Sequence, residues 1–341
     1  MKILIMMTGG TISTTANKNG HLTANGRNTV SFLANTFLSS GDYDVEFDYM
    51  HPLNILSENM TFPRLNVLLD AFKSIDPSAY GAIIVAHGTD TLAYTSSLLS
   101  LALAGWSKSP IFLVSSDHTL TDERANGHDN FKAAVELALD GFGAGVYVPY
   151  RNSDGVTYLH HGAHLRQCDN FTANFYSADM CPYKQAKPYE VQAEFPIIEV
   201  LPKLYECIMM IEPYVGIDYS NYLLPPTIRV VLHGSSHSSS ACAERADTTE
   251  AFSKRSVIYL ANECKKRGID LFLSPLPESM RETSGTYAST ADILKNGAKP
   301  IFALTNETAY MKLALAYSLG YEGDEVPAFL EREVASEKLE G

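Results

Sequence analysis

Residues 1–15 read MKILIMMTGGTISTT, an apolar run from Ile3 to Met7 that stops at two glycines between threonines. A short, continuously apolar run that ends at glycine is typical of a strand buried on both faces and left through a tight turn. Such strands occur in parallel sheets covered by helices. The stretch therefore predicts a buried parallel strand whose carboxyl end carries a small polar loop.

The same pattern continues along the chain, where apolar runs of strand length alternate with segments of helical period. This alternation predicts an α/β protein with a larger N-terminal, mainly parallel-sheet domain, helices on both of its faces, and a smaller C-terminal α/β domain. Segment 151–205 loses the rhythm and is typical of a hairpin followed by a linker, which predicts domains 1–205 and 206–341. The predicted strands are 3–7, 44–50, 82–86, 111–115, 207–211, 228–232, 271–274 and 301–304, and the predicted helices are 29–38, 63–74, 92–104, 130–139, 251–267, 290–296 and 308–319.

Composition limits the function classes. The chain has 341 residues, of which 45% are hydrophobic and 19% charged, and a net charge of -13, which argues against nucleic acid as a partner. The apolar start is too short for a signal peptide, and no segment approaches the roughly 20 apolar residues that span a bilayer, so we expect no membrane partner. Five cysteines without a Cys-x-x-Cys pair indicate a reduced, cytoplasmic protein.

A second polar loop, His87-Gly88-Thr89-Asp90-Thr91, follows the apolar run Ala82 to Ala86. Ligands of open parallel sheets bind outside the carboxyl ends of strands, and both glycine-threonine loops fall there. One such loop alone is more often only a turn with a helix cap, but two of them favour a small polar site. Neither loop has the Gly-x-Gly-x-x-Gly or the P-loop pattern of nucleotide sites.

These motifs carry a family resemblance. TGGTIS (8–13) and HGTDTLAYT (87–95) are similar to the two signature motifs of the L-asparaginase family of the bacterial, two-domain type. LSENMT, SSDHTLTDERANGHDNFKAA and, more loosely, YVGIDYS and GAKPIFALTNETAYMKLALAYSLG extend the likeness over most of the chain. The resemblance implies hydrolysis of an amino-acid side-chain amide to the acid and ammonia, in an intersubunit site of a homodimer or homotetramer. We expect no cofactor and no metal.

The resemblance also implies catalytic roles. Thr11 matches the acylated nucleophile, and Thr89 matches a second threonine that shares in proton transfer. A threonine hydroxyl needs a neighbouring base, and N–H donors for the developing oxyanion, before it attacks an amide. Asp90 matches the carboxylate that pairs with the substrate's α-ammonium group. The polar stretch Ser13 to Asn28 is expected to be a closing lid.

Substrate-binding roles follow in the same way. Ser57 and Glu58 match positions that bind the α-carboxylate and α-amino ends, and the backbone carbonyl of Ser116 matches the group that holds the leaving amide. Gly10 and Gly88 allow close approach of the backbone and offer N–H groups to the substrate.

The chain departs from the family's pattern at two places in this first domain. A lysine that the family places after the middle hairpin is missing, and Gln167, beside Arg166, stands there by position. Neither residue can act as a base, so a histidine, His161 or His164, is one candidate to replace the lysine. The lid also has no tyrosine, and His21 is its only ring.

The C-terminal domain departs as well, because LHGSSHSSSACAE replaces a Gly-x-Gly-Asn turn that reaches a neighbouring subunit. Glu282 or Glu278 is a candidate acid for the neighbour's pocket, although surface glutamates are more often simply solvated.

Other functions stay open. The histidine groups HHGAH and HGSSH favour incidental loop histidines over a metal site, because glycine interrupts them and no carboxylate signature accompanies them. Cys168 near His164 is more typical of a small apolar residue than of a nucleophile. A non-catalytic or weakly active amino-acid-binding or regulatory protein on the same fold is an alternative because of the missing lysine. An ammonia-supplying subunit of a tRNA-dependent amidotransferase is disfavoured, because Met1 begins directly at the first strand.

Overall fold

The computed structural model describes residues 1–16, 22–24, 26–41, 43–190, 196–246, 252–282 and 287–339. By chain contacts the molecule divides into two compact units. The first consists of Met1–Leu204 with Glu333–Glu337, and the second of Tyr205–Arg332 with Lys338–Gly341. The α/β class with a larger, mainly parallel sheet and a smaller second sheet is confirmed.

The first unit is built on a seven-stranded sheet of order β4-β1-β5-β6-β7-β8-β9. The pairs among β4, β1, β5, β6 and β7 are parallel, and β8 and β9 are antiparallel. A small hairpin of β2 and β3 follows the first strand. The elements are β1 (Lys2–Met7), β2 (Thr14–Ala16), β3 (Leu22–Ala24), α1 (Gly26–Ser39), β4 (Glu46–Met50), α2 (Phe62–Lys73), β5 (Ala82–Ala86), α3 (Leu92–Ala102), β6 (Pro110–Val114), α4 (Gly127–Leu139), β7 (Gly145–Arg151), β8 (Thr157–His161), β9 (Cys181–Pro182) and α5 (Ile197–Val200).

The opening stretch explains why helices cover both faces of this sheet. Ile3, Ile5 and Met7 belong to a core cluster with side chains of α1 and α4. Leu4 and Met6 point to the opposite face, because side chains alternate along a strand, and they are equally buried. A strand that is buried on both faces needs no polar alternation, which is why β1 reads as one apolar run.

The second unit carries a parallel four-stranded sheet of order β10-β11-β12-β13. Its core joins these strands to helices α6 and α7. Within the described residues, no helix combines the length and apolarity that crossing a bilayer requires. The elements are β10 (Ile208–Ile211), β11 (Val230–Gly234), α6 (Val257–Lys266), β12 (Asp270–Leu276), α7 (Ala288–Lys295), β13 (Lys299–Phe302), α8 (Asn306–Ser318) and α9 (Glu325–Glu331).

One predicted helix began too early. The sequence pattern placed it over 251–267, but α6 starts at Val257, and Phe252 instead forms an antiparallel bridge with Arg245. The hydroxyl of Ser256 accepts the Ile258 N–H at 3.1 Å and caps the helix at that point. Residue 251 lies outside the described residues.

Candidate functional site

The strand order places the glycine-threonine loops at a topological switch point. β1 pairs in parallel with β4 on one side and with β5 on the other, so the carboxyl ends of β1 and β5 lie beside each other. Thr8 ties the two ends together, since its N–H and its hydroxyl both donate to Ala86 O, at 3.0 and 2.9 Å. This crevice is where open α/β sheets bind ligands.

Glycine lets three loops meet at this point. Gly10 has a φ of +80°, and a Cβ added to it would lie 2.2 Å from Gly88 Cα. A Cβ on Gly88 would lie 2.4 Å from Ser57 Oγ. The loops after β1, β4 and β5 therefore contact one another through positions where no side chain fits.

Ser57 and Asp90 form the polar centre of this junction. The Ser57 hydroxyl donates to Asp90 Oδ2 at 2.7 Å and accepts the Asp90 N–H at 3.2 Å. The hydroxyl of Thr91 donates to Ser57 O at 3.0 Å, which fixes the serine backbone as well. Glu58, the next residue, is exposed. The structure thus brings together Ser57 and Asp90, two of the residues that the sequence predicted for substrate binding and catalysis.

The two predicted catalytic threonines each follow one of the touching glycines, Thr11 after Gly10 and Thr89 after Gly88. Thr11 opens a short 3-10 turn, Thr11–Ser13, and both threonines are half-buried. The catalytic roles of Thr11 and Thr89 stay a prediction. Of the predicted lid, 17–21 and 25 lie outside the described residues, and with them His21.

Ser116 follows the next strand of the sheet, β6. It is buried, its hydroxyl donates to His118 O at 2.6 Å and accepts the Gly127 N–H at 3.2 Å. The neighbouring Asp117 exchanges hydrogen bonds with Asn126, through its N–H at 2.9 Å and its carboxylate at 3.0 Å. The side chain of Ser116 therefore holds its own loop, which leaves the predicted role to its backbone carbonyl.

Gln167, which stands at the position of the missing lysine by sequence, contacts the Thr89 loop. Its Nε2 donates to Thr89 O at 2.8 Å. Arg166 is exposed, and its backbone N–H bonds Tyr176 O at 3.0 Å. A neutral amide at this point neither accepts nor releases a proton at physiological pH, and it acts on Thr89 through the backbone.

The candidate histidines have other partners. His161 Nε2 donates to Ala335 O at 2.8 Å while its Nδ1 accepts the Ala163 N–H at 3.0 Å, and burial, followed by the charge of His164, lowers its pKa to about 3. His164 lies 2.8 Å from Ser336 O and 3.2 Å from Asp179 Oδ1. Both rings are thus engaged by the segment 333–337 rather than by the Thr89 loop.

Electrostatics at the site are set by burial and carboxylates. Burial lowers the pKa of His87 to about 4, so this ring is neutral at pH 7, and its Nδ1 donates to Gly88 O at 2.7 Å. Burial, followed by the charges of Asp169, Asp90 and Asp117, raises the pKa of the Cys168 thiol to about 11. A thiol with that pKa is protonated at pH 7 and is a poor nucleophile.

Two contributions escaped sequence reasoning. Asp117 is not among the residues predicted from the sequence, although it lies in the loop after β6, where site residues collect. The contact of Gln167 with Thr89 O joins residues 78 positions apart, which no local pattern encodes. In the described part of the chain, no group of three or more His, Cys, Asp or Glu side chains is arranged to hold a metal ion.

In the second unit, the predicted acid Glu278 is paired with Arg281, which lowers the pKa of its carboxyl group. His233 is the next-to-last residue of β11 and resembles His87 in geometry, because its Nδ1 donates to the following carbonyl, Gly234 O, at 2.6 Å. Its Nε2 accepts the Tyr219 hydroxyl at 2.7 Å, so this histidine of the HGSSH group is a structural one.

Comparison with known proteins gives three kinds of match. The family described as "Asparaginase, N-terminal" matches residues 2–194, more than half of the chain. Among curated proteins, a glutamyl-tRNA(Gln) amidotransferase subunit of Methanococcus maripaludis is 27% identical over 308 residues, which cover 84% of this chain and 68% of the relative. An L-asparaginase of Thermococcus kodakarensis is 31% identical over 152 residues, which cover 44% of each chain. Among solved structures, the thermostable L-asparaginase from Thermococcus kodakarensis superposes with a TM-score of 0.73 at 20% identity over 100% of both chains, a likeness of fold.

Proposed function

The chain belongs to the asparaginase family, and on that premise we propose that it hydrolyses the side-chain amide of L-asparagine, or of a related amino-acid amide, to the acid and ammonia. The observation that carries the proposal is the contact between Gly10 and Gly88 at the switch point, one residue before each threonine. The Ser57–Asp90 pair beside it offers a carboxylate for an α-ammonium group. These groups suit an amide substrate better than a nucleotide or a metal.

The reaction that we propose runs through a threonine ester. The Thr11 hydroxyl oxygen attacks the amide carbon, backbone N–H groups of the glycine loops stabilise the oxyanion, and the C–N bond breaks. The hydroxyl proton leaves with the nitrogen as ammonia. Water then hydrolyses the ester and returns the proton to Thr11. Thr89 shares in these transfers, and Gln167 holds the Thr89 backbone in place.

The test is ammonia release from a panel of amino-acid amides. We expect Thr11→Ala and Thr89→Val to lower kcat by at least about 1000-fold, in the range of losses seen when a nucleophile or its partner is removed. Thr157→Val, in the hairpin of β7 and β8, is the matched control and should keep wild-type rates. Full activity in either site variant would refute the assigned roles. Tight binding of an amide without ammonia release by the wild type would favour the non-catalytic binding protein instead.

A second candidate is an ammonia-supplying amidotransferase subunit, which the amidotransferase relative over 84% of the chain favours. Such a subunit would release ammonia from glutamine faster when its partner is present. Rates with glutamine and asparagine, measured with and without lysate fractions that carry glutamyl-tRNA amidotransferase activity, separate the two functions.

We further propose a cytoplasmic homodimer or homotetramer. An acidic chain with free, unpaired cysteines, at Cys168, Cys181, Cys207, Cys242 and Cys264, is suited to a reducing compartment. Light scattering of the purified protein determines the oligomeric state, and a monomer that is fully active would contradict an intersubunit site.

A further inference from the structure

A cavity of about 670 Å³ lies on the surface of the first unit, at the carboxyl end of helix α4. The end of this helix lines it with Leu137, Leu139 and Asp140. The amino end of the same helix is at the candidate site, where the Gly127 N–H donates to Ser116 Oγ at 3.2 Å. A helix of 13 residues is about 20 Å long, so the cavity is separate from that site. Its volume is in the range of small-molecule sites, about 300–1,000 Å³.

Three aromatic rings line this cavity, those of Tyr43, Phe142 and Tyr183. Packing holds two of them in place: Tyr43 stacks on Phe37 with ring centroids 4.2 Å apart, and Phe142 meets Tyr147 edge-on at 5.0 Å. All three lining rings are only half-buried, so ring surface is left for a ligand. The face of an aromatic ring attracts a cation, and it does so more strongly when the cation is desolvated.

The charged groups that line the cavity, within the described residues, are Glu136, Asp140 and Lys184. Glu136 is already engaged, because its Oε2 accepts the Tyr183 hydroxyl at 2.7 Å and its Oε1 lies 3.7 Å from Lys132 Nζ. Asp140 is exposed and follows the last residue of α4, a helix that the structure describes in full and whose last turn has no basic residue. The helix dipole adds partial negative charge at this end, so a cation there is stabilised.

The protein already places one cation on this aromatic wall. Lys184 Nζ lies 5.7 Å from the centre of the Tyr183 ring, within the range of a cation–π contact. Lys184 is exposed, and among the described residues no carboxylate forms an ion pair with it. Its ammonium group can therefore return to water when another cation takes its place on the ring.

Hydrogen-bond acceptors for a primary ammonium group are scarce in this cavity. Burial, followed by the hydrogen bond to Glu136, raises the pKa of Tyr183, so its hydroxyl keeps the proton that it donates to this carboxylate. A primary ammonium group carries three N–H donors, and donors that leave water without finding acceptors are penalised. A quaternary ammonium group donates no hydrogen bond, so ring faces and nearby negative charge are sufficient for it.

We propose that the cavity formed by Tyr43, Phe142 and Tyr183 binds a small organic cation of the quaternary ammonium class, which takes the place of the Lys184 ammonium group. Asp140 and the carboxyl end of α4 supply the negative charge. This site is independent of the proposed amide hydrolysis.

The experiment compares three probes at constant ionic strength. Choline carries the quaternary ammonium group, and dimethylbutanol is its neutral carbon isostere, in which a tert-butyl group replaces the trimethylammonium group. Ethanolamine has the same charge as choline but on a primary ammonium group. Binding to the full chain is measured by calorimetry. We expect choline to bind about tenfold more tightly than dimethylbutanol, which is the size of a favourable cation–π contribution, and ethanolamine to bind more weakly than choline.

A first substitution tests the aromatic wall. Tyr43→Leu keeps an apolar contact with Phe37 and removes one ring, so the ratio of choline to dimethylbutanol affinity should fall to about threefold. Tyr158→Leu is the matched control, because Tyr158 is also half-buried in the first unit but does not line the cavity. It should leave the ratio unchanged.

A second substitution, at an exposed position, tests the competing cation. Lys184→Met keeps the apolar stem and removes the charge, so choline should bind about threefold more tightly while dimethylbutanol binds as before. Lys187→Met, also exposed and outside the cavity lining, is its control. Equal binding of choline and dimethylbutanol, ethanolamine binding as tight as that of choline, or no saturable choline binding would each overturn the inference. A ratio that Tyr43→Leu leaves unchanged, or choline binding that Lys184→Met does not tighten, would overturn it as well.

Discussion

At the scale of single residues, the side-chain amide of Gln167 contacts the backbone of Thr89. It is half-buried and donates to Thr89 O at 2.8 Å, a neutral contact that orients a backbone without supplying a base. The role of Gln167 is therefore positional. Removing its donor should disturb the orientation of Thr89 rather than change which groups titrate.

We predict that Gln167→Ala lowers kcat about five- to tenfold, which corresponds to about 1 kcal/mol for one hydrogen bond, with little change in KM. The pH dependence of kcat should keep its shape, because no ionisable group is lost. Initial rates of ammonia release across pH check this. Arg166→Ala changes the exposed neighbour and serves as the control; an equal loss there would assign the effect to the segment as a whole.

Buried histidines make the stability of the first unit depend on pH. Burial lowers the pKa of His87 and of His160 to about 4, below the ordinary imidazole value of 6.5. Between these values the unfolded chain binds protons that the folded chain does not, so the stability present above pH 6.5 is lost as the pH falls toward 4.

The expected size is about 2 kcal/mol per histidine between pH 8 and pH 5. Denaturant unfolding of His160→Gln should show an acid slope smaller by about this amount, whatever the variant costs at neutral pH. His51→Gln, at an exposed position, is the control. An unchanged slope in His160→Gln would show that His160 takes up its proton equally in both states.

At the scale of elements, the loop after β1 depends on two glycines with positive φ. Gly9 has a φ of +115°, and a Cβ added to it would lie 1.9 Å from Ile55 O. A Cβ added to Gly10 would collide with the backbone of Gly88. The loops after β1 and β5 would have to move apart to admit a side chain at Gly10, and this movement would separate Thr11 from Thr89.

We therefore predict that Gly10→Ala abolishes amide hydrolysis and lowers the stability of the first unit by about 3 kcal/mol or more. Gly155→Ala is a matched control, since its φ of +81° is equally positive but no atom lies within 4 Å of the added Cβ. It should cost only about 1 kcal/mol and keep full activity. Thermal unfolding and ammonia release measure the two effects, and equal losses in both variants would mean that φ alone is responsible.

Strands buried on both faces were predictable from sequence, because their apolar runs need no context: Ala82–Ala86 matches β5 residue for residue. Helix ends that are set by side-chain caps were not predictable, as the amino end of α6 shows. The short helix α9 was missed as well. Within the site, the meeting of Gly10, Gly88 and Ser57 follows from strand order, which a single sequence encodes only through motifs.

At the scale of the whole molecule, neither unit is one continuous segment of the chain. After the last helix, Glu333–Glu337 returns to the first unit, where imidazoles of β8 and the following turn donate to its backbone. Glu337 is fully buried, and its carboxylate accepts the N–H groups of Val334 and Ala335 at 2.9 and 2.8 Å. No composition shift marks this segment, so its destination depends on contacts that appear only in three dimensions.

The buried carboxylate should therefore hold the end of the chain in place. We predict that Glu337→Ala lowers the stability of the first unit by about 2 kcal/mol, because two buried N–H groups lose their acceptor. Hydrogen exchange at the amides of Val334 and Ala335 should accelerate more than exchange in β1, since the opening is local. Glu333→Ala makes the same charge change four residues earlier and is the control. Unchanged exchange in Glu337→Ala would contradict this prediction. The segment would then be held by the two histidine contacts, His161 to Ala335 O and His164 to Ser336 O. In that case, adding His161→Gln to Glu337→Ala should accelerate exchange in the segment.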